Sequence, residues 1–453
     1  MKVSTKIHGS VALAAALGLS TAIAGTAPGS LTFSSSPLLR SEGRSEPAIS
    51  IGADGTMAVT GLQWLFDPAA FGTLLWTGPF GSVPTIQGLL DANLQKAGKT
   101  IFGSGDADVD LGANGTLHAT SLIFLIQPSF KNAQLGVLAV SCPKGTSGNF
   151  DLNRCTRTII DTADTDRPWI TSDGSRAYIS YHDSKNSSLI HVQRSDDDGQ
   201  SWQRAGDPIT GQGVATGDAT FNNDQGPIVA DPFTHNVYAI YAAGEAGIQK
   251  ATSATFNNIY VARSSDQGKH WQSQLVYHAP LFTALNNIFP ALAADPANGQ
   301  LFAAWSDGRT VFFSTSGDQG AHWSVAVAVN AAPASTAIFP WVAAYGGTAD
   351  VVYYATTGAS TDDPSAVWNV YLAQTSDGGA SFAQSRVSST PNHVGVVCTE
   401  GAACISAERT LLDLFEVSIN PRDGRAAIIY TDDTLTTTSS GDRLPQIVLS
   451  QQN

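Results

Sequence analysis

The sequence predicts an all-β protein: a single β-propeller of four-stranded blades, seven in number, with six or eight left open. Two observations carry this. First, a pattern recurs through the chain: an apolar strand, often opened by Pro, then a Gly/Asp/Asn turn and a second apolar strand. Its copies start at Glu46, Asp106, Asp166, Gln225, Ile288, Ile338 and Glu416. The turns Asp54-Gly55, Asn114-Gly115, Asp173-Gly174, Asn298-Gly299 and Asp423-Gly424 supply the positive φ that tight antiparallel hairpins need. Second, no long helical periodicity interrupts the series. A hairpin plus two outer strands makes one blade, and a ring of such blades leaves few free sheet edges. The irregular stretch from Gln63 to Gly103 is what leaves the blade number open.

Four of the hairpins are followed by a strand that runs into Ser/Thr-x-Asp-x-Gly-x-x-aromatic. The copies are Ser195-Asp197-Gly199-Trp202, Ser264-Asp266-Gly268-Trp271, Ser316-Asp318-Gly320-Trp323 and Thr375-Asp377-Gly379-Phe382. Each reads as a turn staple. The Asp accepts backbone N–H bonds of its own turn, Gly relaxes the backbone, and the ring packs between sheets. Calcium binding by the acidic run around Asp197 is the competing reading.

These residues resemble the Asp box, or BNR repeat, of the sialidase-like propeller superfamily, from about Glu46 to the C-terminus. The resemblance implies the fold. It implies a carbohydrate-active protein more weakly, because fold does not imply function. In sialidases an Arg-Ile-Pro motif opens the first blade, its Arg helps clamp a substrate carboxylate, a Tyr–Glu pair is the nucleophile and an Asp is the acid/base. Here the position two before the strand Pro is Ser45, Asp166, Ile288 or Ile338. Arg44 and Arg167 each stand one residue away from it. Tyr181, Tyr354 and Tyr430 are the candidate tyrosines.

The domain organisation follows. Lys2 and Lys6, the apolar run Val11 to Leu19 and Ala22-Ile23-Ala24 read as a secretory signal peptide over residues 1–24. Residues 25–45 form an N-terminal segment in which Leu31 to Ser34 are placed as a ring-closing strand, and 46–453 form the propeller. The apolar run is shorter than the ~20 residues a membrane span needs. In an exported chain, the neighbouring cysteines read as two disulfides, Cys142–Cys155 and Cys398–Cys404. Neither pair has the CxxC spacing of a zinc site. Asn114 and Asn186 match glycosylation acceptors. With 24 Lys and Arg against 38 Asp and Glu, the net charge of −14 excludes the basic patch that nucleic acid requires.

Chain direction sorts the loops. Inner-strand starts and second-strand ends gather at one mouth of the ring; hairpin turns and Asp boxes gather at the other. The first mouth collects Glu46, Asp106, Asp108, Asp224, Asp432 and Asp433, and the residues proposed to act there. Asp166, Glu416 and Asp183 are the candidate catalytic carboxyls, since paired acids can serve glycoside cleavage. Arg167, His182, Asp307, Arg309 and Arg409 are the candidate ligand-binding groups. No cofactor is expected, with calcium left open. The expected partner is an extracellular glycan or glycoconjugate met by a secreted monomer. Glycoside hydrolysis leads, with a non-catalytic glycan- or protein-binding propeller and a polysaccharide lyase as alternatives. No GxSxG, HExxH, P-loop or dinucleotide fingerprint is present.

Overall fold

The computed structural model describes residues 30–63, 72–92, 94, 100–103, 105–126, 133–145, 149–184, 189–209, 223–244, 256–285, 288–400, 404 and 409–453. The expected signal peptide and Asn186 lie outside them.

Seven antiparallel blades form a closed ring. In chain order their inner strands are Arg44–Ile51, Ala107–Leu111, Thr165–Asp173, Asn223–Ala230, Ala291–Ala294, Thr336–Tyr345 and Glu416–Ile419, and each touches the next around the axis. Blade 2 adds the short strand Thr100–Phe102 and blade 6 adds His393–Val394. Blade 7 takes its outer strand from the other end of the chain: Phe33–Pro37 pairs antiparallel with Arg443–Gln452. Arg443–Gln452 is therefore third in its blade and Phe33–Pro37 is outermost. Among the described residues, the single helical element is the 3₁₀ turn Leu152–Arg154, and no helix is long and apolar enough to cross a membrane.

The hairpin turns form as the sequence leads one to expect, with Gly55 at φ 76° and Gly174 at φ 64°. The Asp boxes are built alike. In the blade 4 copy, Gly268 N–H donates to Ser264 Oγ (2.8 Å), Ser264 Oγ–H to Asp266 Oδ1 (2.9 Å), and His270 N–H to the same Asp266 oxygen (2.9 Å). Burial works against the Asp266 charge, but the bonds from His270 and Ser264 together outweigh it and hold the carboxyl low, at about 2. Trp271 is buried in a cluster with Tyr178 of the preceding blade, and the Phe382 ring meets Phe313 of its preceding blade edge-on at 5.3 Å. Both disulfides, Cys142–Cys155 and Cys398–Cys404, are present.

The inner strands carry the feature that shapes the site. Pro has no N–H to give to the ladder. Accordingly, the pairing slips between Ser45 and Ala48, Asp166 and Trp169, Gln225 and Ile228, and Ile338 and Trp341, each slip spanning a Pro. In three of these bulges the residue just before Pro is left-handed: Glu46 at φ 45°, Arg167 at φ 53° and Phe339 at φ 53°. A bulge re-aims side chains, and here it re-aims them at the axis.

Candidate functional site: the axial mouth

Arg167 is the centre of the first mouth. Its Nη2 donates to Asp413 Oδ2, its Nε lies 3.6 Å from Asp106 Oδ2, and its Nη1 lies 3.9 Å from Glu46 Oε1. Its guanidinium also stacks over the Phe289 ring at 4.1 Å. Arg409 Nη2 donates to the same Asp413 oxygen. Asp413 N–H in turn donates to Glu46 Oε1 (2.9 Å), which ties blade 7 to blade 1. Two donors remain buried without a hydrogen-bond partner: Arg167 Nη1 and Arg409 Nε.

The electrostatics divide these acids. Burial works against the Asp413 charge, but Arg167 and then Arg409 outweigh it and hold the carboxyl below its usual range. Burial, then the Asp106 charge, push Asp166 up to about 6 despite the adjacent Arg167. Burial and Asp106 also push Glu46 well up. Asp166 is half-buried and faces His182 directly across the hairpin.

The other sequence candidates lie elsewhere. Glu416 is buried below the mouth, where its Oε2 accepts from Ile49 N–H of blade 1 (2.8 Å) and its Oε1 has no hydrogen-bond partner. Asp108 does the same for Ile170 of blade 3 (2.8 Å). The inner edge of each blade is an open strand edge, and these carboxyls cap its N–H groups across the blade boundary. Asp183 meets His191 Nε2 at 3.3 Å on the flank of blade 3. Asp307 caps its own turn through Arg309 N–H (3.0 Å) and Thr310 N–H (2.7 Å), with Arg309 exposed. Of the tyrosines, Tyr354, Tyr181 and Tyr430 are all buried in blade interiors. The structure thus brings together Asp166, Arg167, His182 and Arg409. It joins to them Glu46 and Asp106, which the sequence also places at this mouth, and adds Asp413 and Phe289. The signal for Glu46, Arg167 and Phe289 was in the repeat: each stands one residue before the Pro, whereas the sialidase comparison weighs the position two before.

Beneath Arg167 the described residues enclose a cavity of about 10 Å³ lined by Glu46, Asp106, Arg167, Trp169 and Leu414. Trp169 of blade 3 and Trp341 of blade 6 then meet across the ring, ring centres 5.3 Å apart. Beyond them the channel opens on the hairpin face. Among the described residues, no group of three or more His, Cys, Asp or Glu is arranged to hold a metal ion.

A seven-bladed ring with Asp-box turns and an acid-and-arginine mouth on its axis defines a propeller of sialidase-like fold. Among solved structures the chain is similar to the phage phi92 endosialidase, at 9% identity over 93% of this chain and 69% of that one, with a TM-score of 0.51. It is also similar to a Dyadobacter fermentans protein of unknown function (12% identity, 94% and 99% covered, TM-score 0.49) and to the GH93 α-L-arabinofuranosidase of Fusarium graminearum (12%, 92% and 96%, TM-score 0.44). At such identities the likeness is one of fold. No protein-family model and no curated protein matches the chain.

Proposed function

We propose that the protein is a secreted glycoside hydrolase that cleaves a neutral extracellular glycan at the arginine-centred mouth. The observation that carries this is the pair of divided acids: Asp166 raised to about 6, and Asp413 held low by the Arg167 and Arg409 guanidiniums. A carboxyl near 6 is suited to give a proton to a glycosidic oxygen and take it back. Asp106, with its side chain 22% exposed beside Arg167, is placed to accept the proton of the attacking water. The water then supplies the hydroxyl of one product and Asp166 the proton of the other. Arg167 and Arg409 already spend their charge on Asp413, Asp106 and Glu46, so a substrate carboxylate gains little from them. The phi92 endosialidase supports the reading only as a glycan-cleaving enzyme on the same fold. The two disulfides support an oxidising compartment.

The test is reducing-end release from a panel of neutral polysaccharides and sialosides by the mature protein and by Asp166→Asn. The expected result is turnover of a neutral glycan, lowered roughly 10²–10⁴-fold in the variant, with melting temperature unchanged. Glycan binding with no bond cleavage would instead establish a binding module. Equal turnover by Asp166→Asn would remove that residue from the site.

A further inference from the structure

The channel on the hairpin face holds a cavity of about 400 Å³ to which all seven inner strands or their turns contribute. That is within the roughly 300–1,000 Å³ of small-molecule sites. The Trp169–Trp341 pair lies between it and the first mouth, and Arg167 is not part of its lining. Its walls are apolar: Ile51, Leu111, Val229, Val342 and Ile419. Into this lining comes a half-buried carboxyl, Asp110, whose Oδ2 accepts from Ser172 Oγ (2.6 Å) and whose Oδ1 accepts from Ser50 Oγ (3.3 Å). Asp173 is the other charged residue of the lining, with His235 at 2.7 Å on the rim; no Lys or Arg lines the cavity.

We infer that this funnel is a second binding site, for a small organic ammonium ion with an apolar body. The apolar wall takes the hydrocarbon, at roughly 25 cal/mol per Å² removed from water, and the Asp110 carboxylate takes the ammonium. Charge complementarity selects the cation. The lining is acidic, and the protein's net charge of −14 concentrates cations around it. A neutral molecule of the same shape would fill the wall and bring the acid no opposite charge. An anion would face two carboxylates and no lysine or arginine. Burial pushes the Asp110 carboxyl up against the Ser172 bond and the nearby His118, and a bound ammonium would add an opposite charge on the cavity side. The inference is independent of the glycan reading, because it concerns the other end of the channel.

Calorimetry of the mature protein with n-hexylammonium, and with n-hexanol as its uncharged counterpart, tests it. Hexylammonium is expected to bind at one site, at least about tenfold more tightly than hexanol. Asp110→Asn is expected to abolish that preference. Ala294→Phe, which fills the funnel from blade 5 and leaves the acid in place, is expected to abolish binding altogether, and it carries the test should Asp110→Asn not fold. Equal affinity for the alcohol, no binding, or hexylammonium binding that survives Ala294→Phe would each overturn the proposal.

Discussion

The two ends of the axial channel come from the same seven strands and have opposite chemistry. At one end, arginines and carboxyls crowd a cavity of about 10 Å³; at the other, apolar side chains surround about 400 Å³ with one embedded acid. The difference begins with proline. The strand starts carry Pro47, Pro168, Pro227 and Pro340, each inside a bulge, and the left-handed residues Glu46 and Arg167 meet Asp413 there. The strand ends have regular pairing into tight hairpins. Their inward positions, among them Ala293, Ala294 and Ala344, are small and leave space. A bulge gives the ring a place to converge long polar side chains; a regular strand end gives it a hole.

The sharpest way to break this contrast is Arg167→Ala. At the crowded end, Arg167 compensates Asp413 and Glu46, both of which are 2% exposed. Removing one partner of a buried ion pair costs about 3–5 kcal/mol. The variant is expected to lose that much stability in urea unfolding, and Asp413→Asn in the same background is expected to recover part of it. If Arg167→Ala unfolds like the parent, the mouth charges are solvated and the two ends differ less than their geometry says.

Between the ends, a second substitution probes the carboxyls that cap the inner strands. Burial raises Asp108 from an ordinary 3.8 to about 7 and raises Glu416 well above its ordinary range, with the Asp108 charge adding to the effect on Glu416. A raised carboxyl keeps its proton in the folded state where the unfolded chain has lost it. Its stabilising share is therefore complete below pH 3.8 and falls as pH climbs toward about 7. Glu416→Gln keeps an oxygen for Ile49 N–H and removes the ionisation. Its melting temperature, relative to the parent, is expected to improve between pH 4 and pH 8. A difference that stays flat over that range would mean the group is solvated.

Much of this architecture was legible in the sequence. The hairpin turns at Gly55 and Gly174 and the four Asp boxes mark the blades because local backbone needs are written in local residues. The mouth was legible only as a list of residues at strand starts. Chain direction puts Glu416 and Asp166 at the same end, but one step of depth separates a residue that caps Ile49 from one that faces the opening. That depth depends on bulges and on contacts between residues 46 and 413, or 167 and 413, which no local pattern encodes. The hairpin-face funnel was missed because it is made by what alanines leave out. The Trp169–Trp341 pair was missed because two blades on different sides of the ring supply it.

The smallest effect concerns the Asp boxes, which share a face with the funnel but stand away from the axis. In the blade 5 copy, Ser316 Oγ accepts from Gly320 N–H (2.9 Å) and donates to Asp318 Oδ1 (2.9 Å). Its hydroxyl therefore satisfies one backbone donor and orients the carboxylate that holds His322 N–H (2.9 Å). The bonds are neutral or local, and the Asp318 side chain is 47% exposed, so water replaces much of what Ser316→Ala removes. A single bond of this kind is worth about 1 kcal/mol. Ser316→Ala and Ser264→Ala are each expected to lower stability by about that much, and by the same amount at pH 5 and pH 8. Hexylammonium affinity and glycan turnover should both be untouched, since neither box lines the mouth or the funnel. A loss of either function in these variants would mean that the boxes support the channel ends, and the contrast between the ends would then depend on the blade edges as well as on the inner strands.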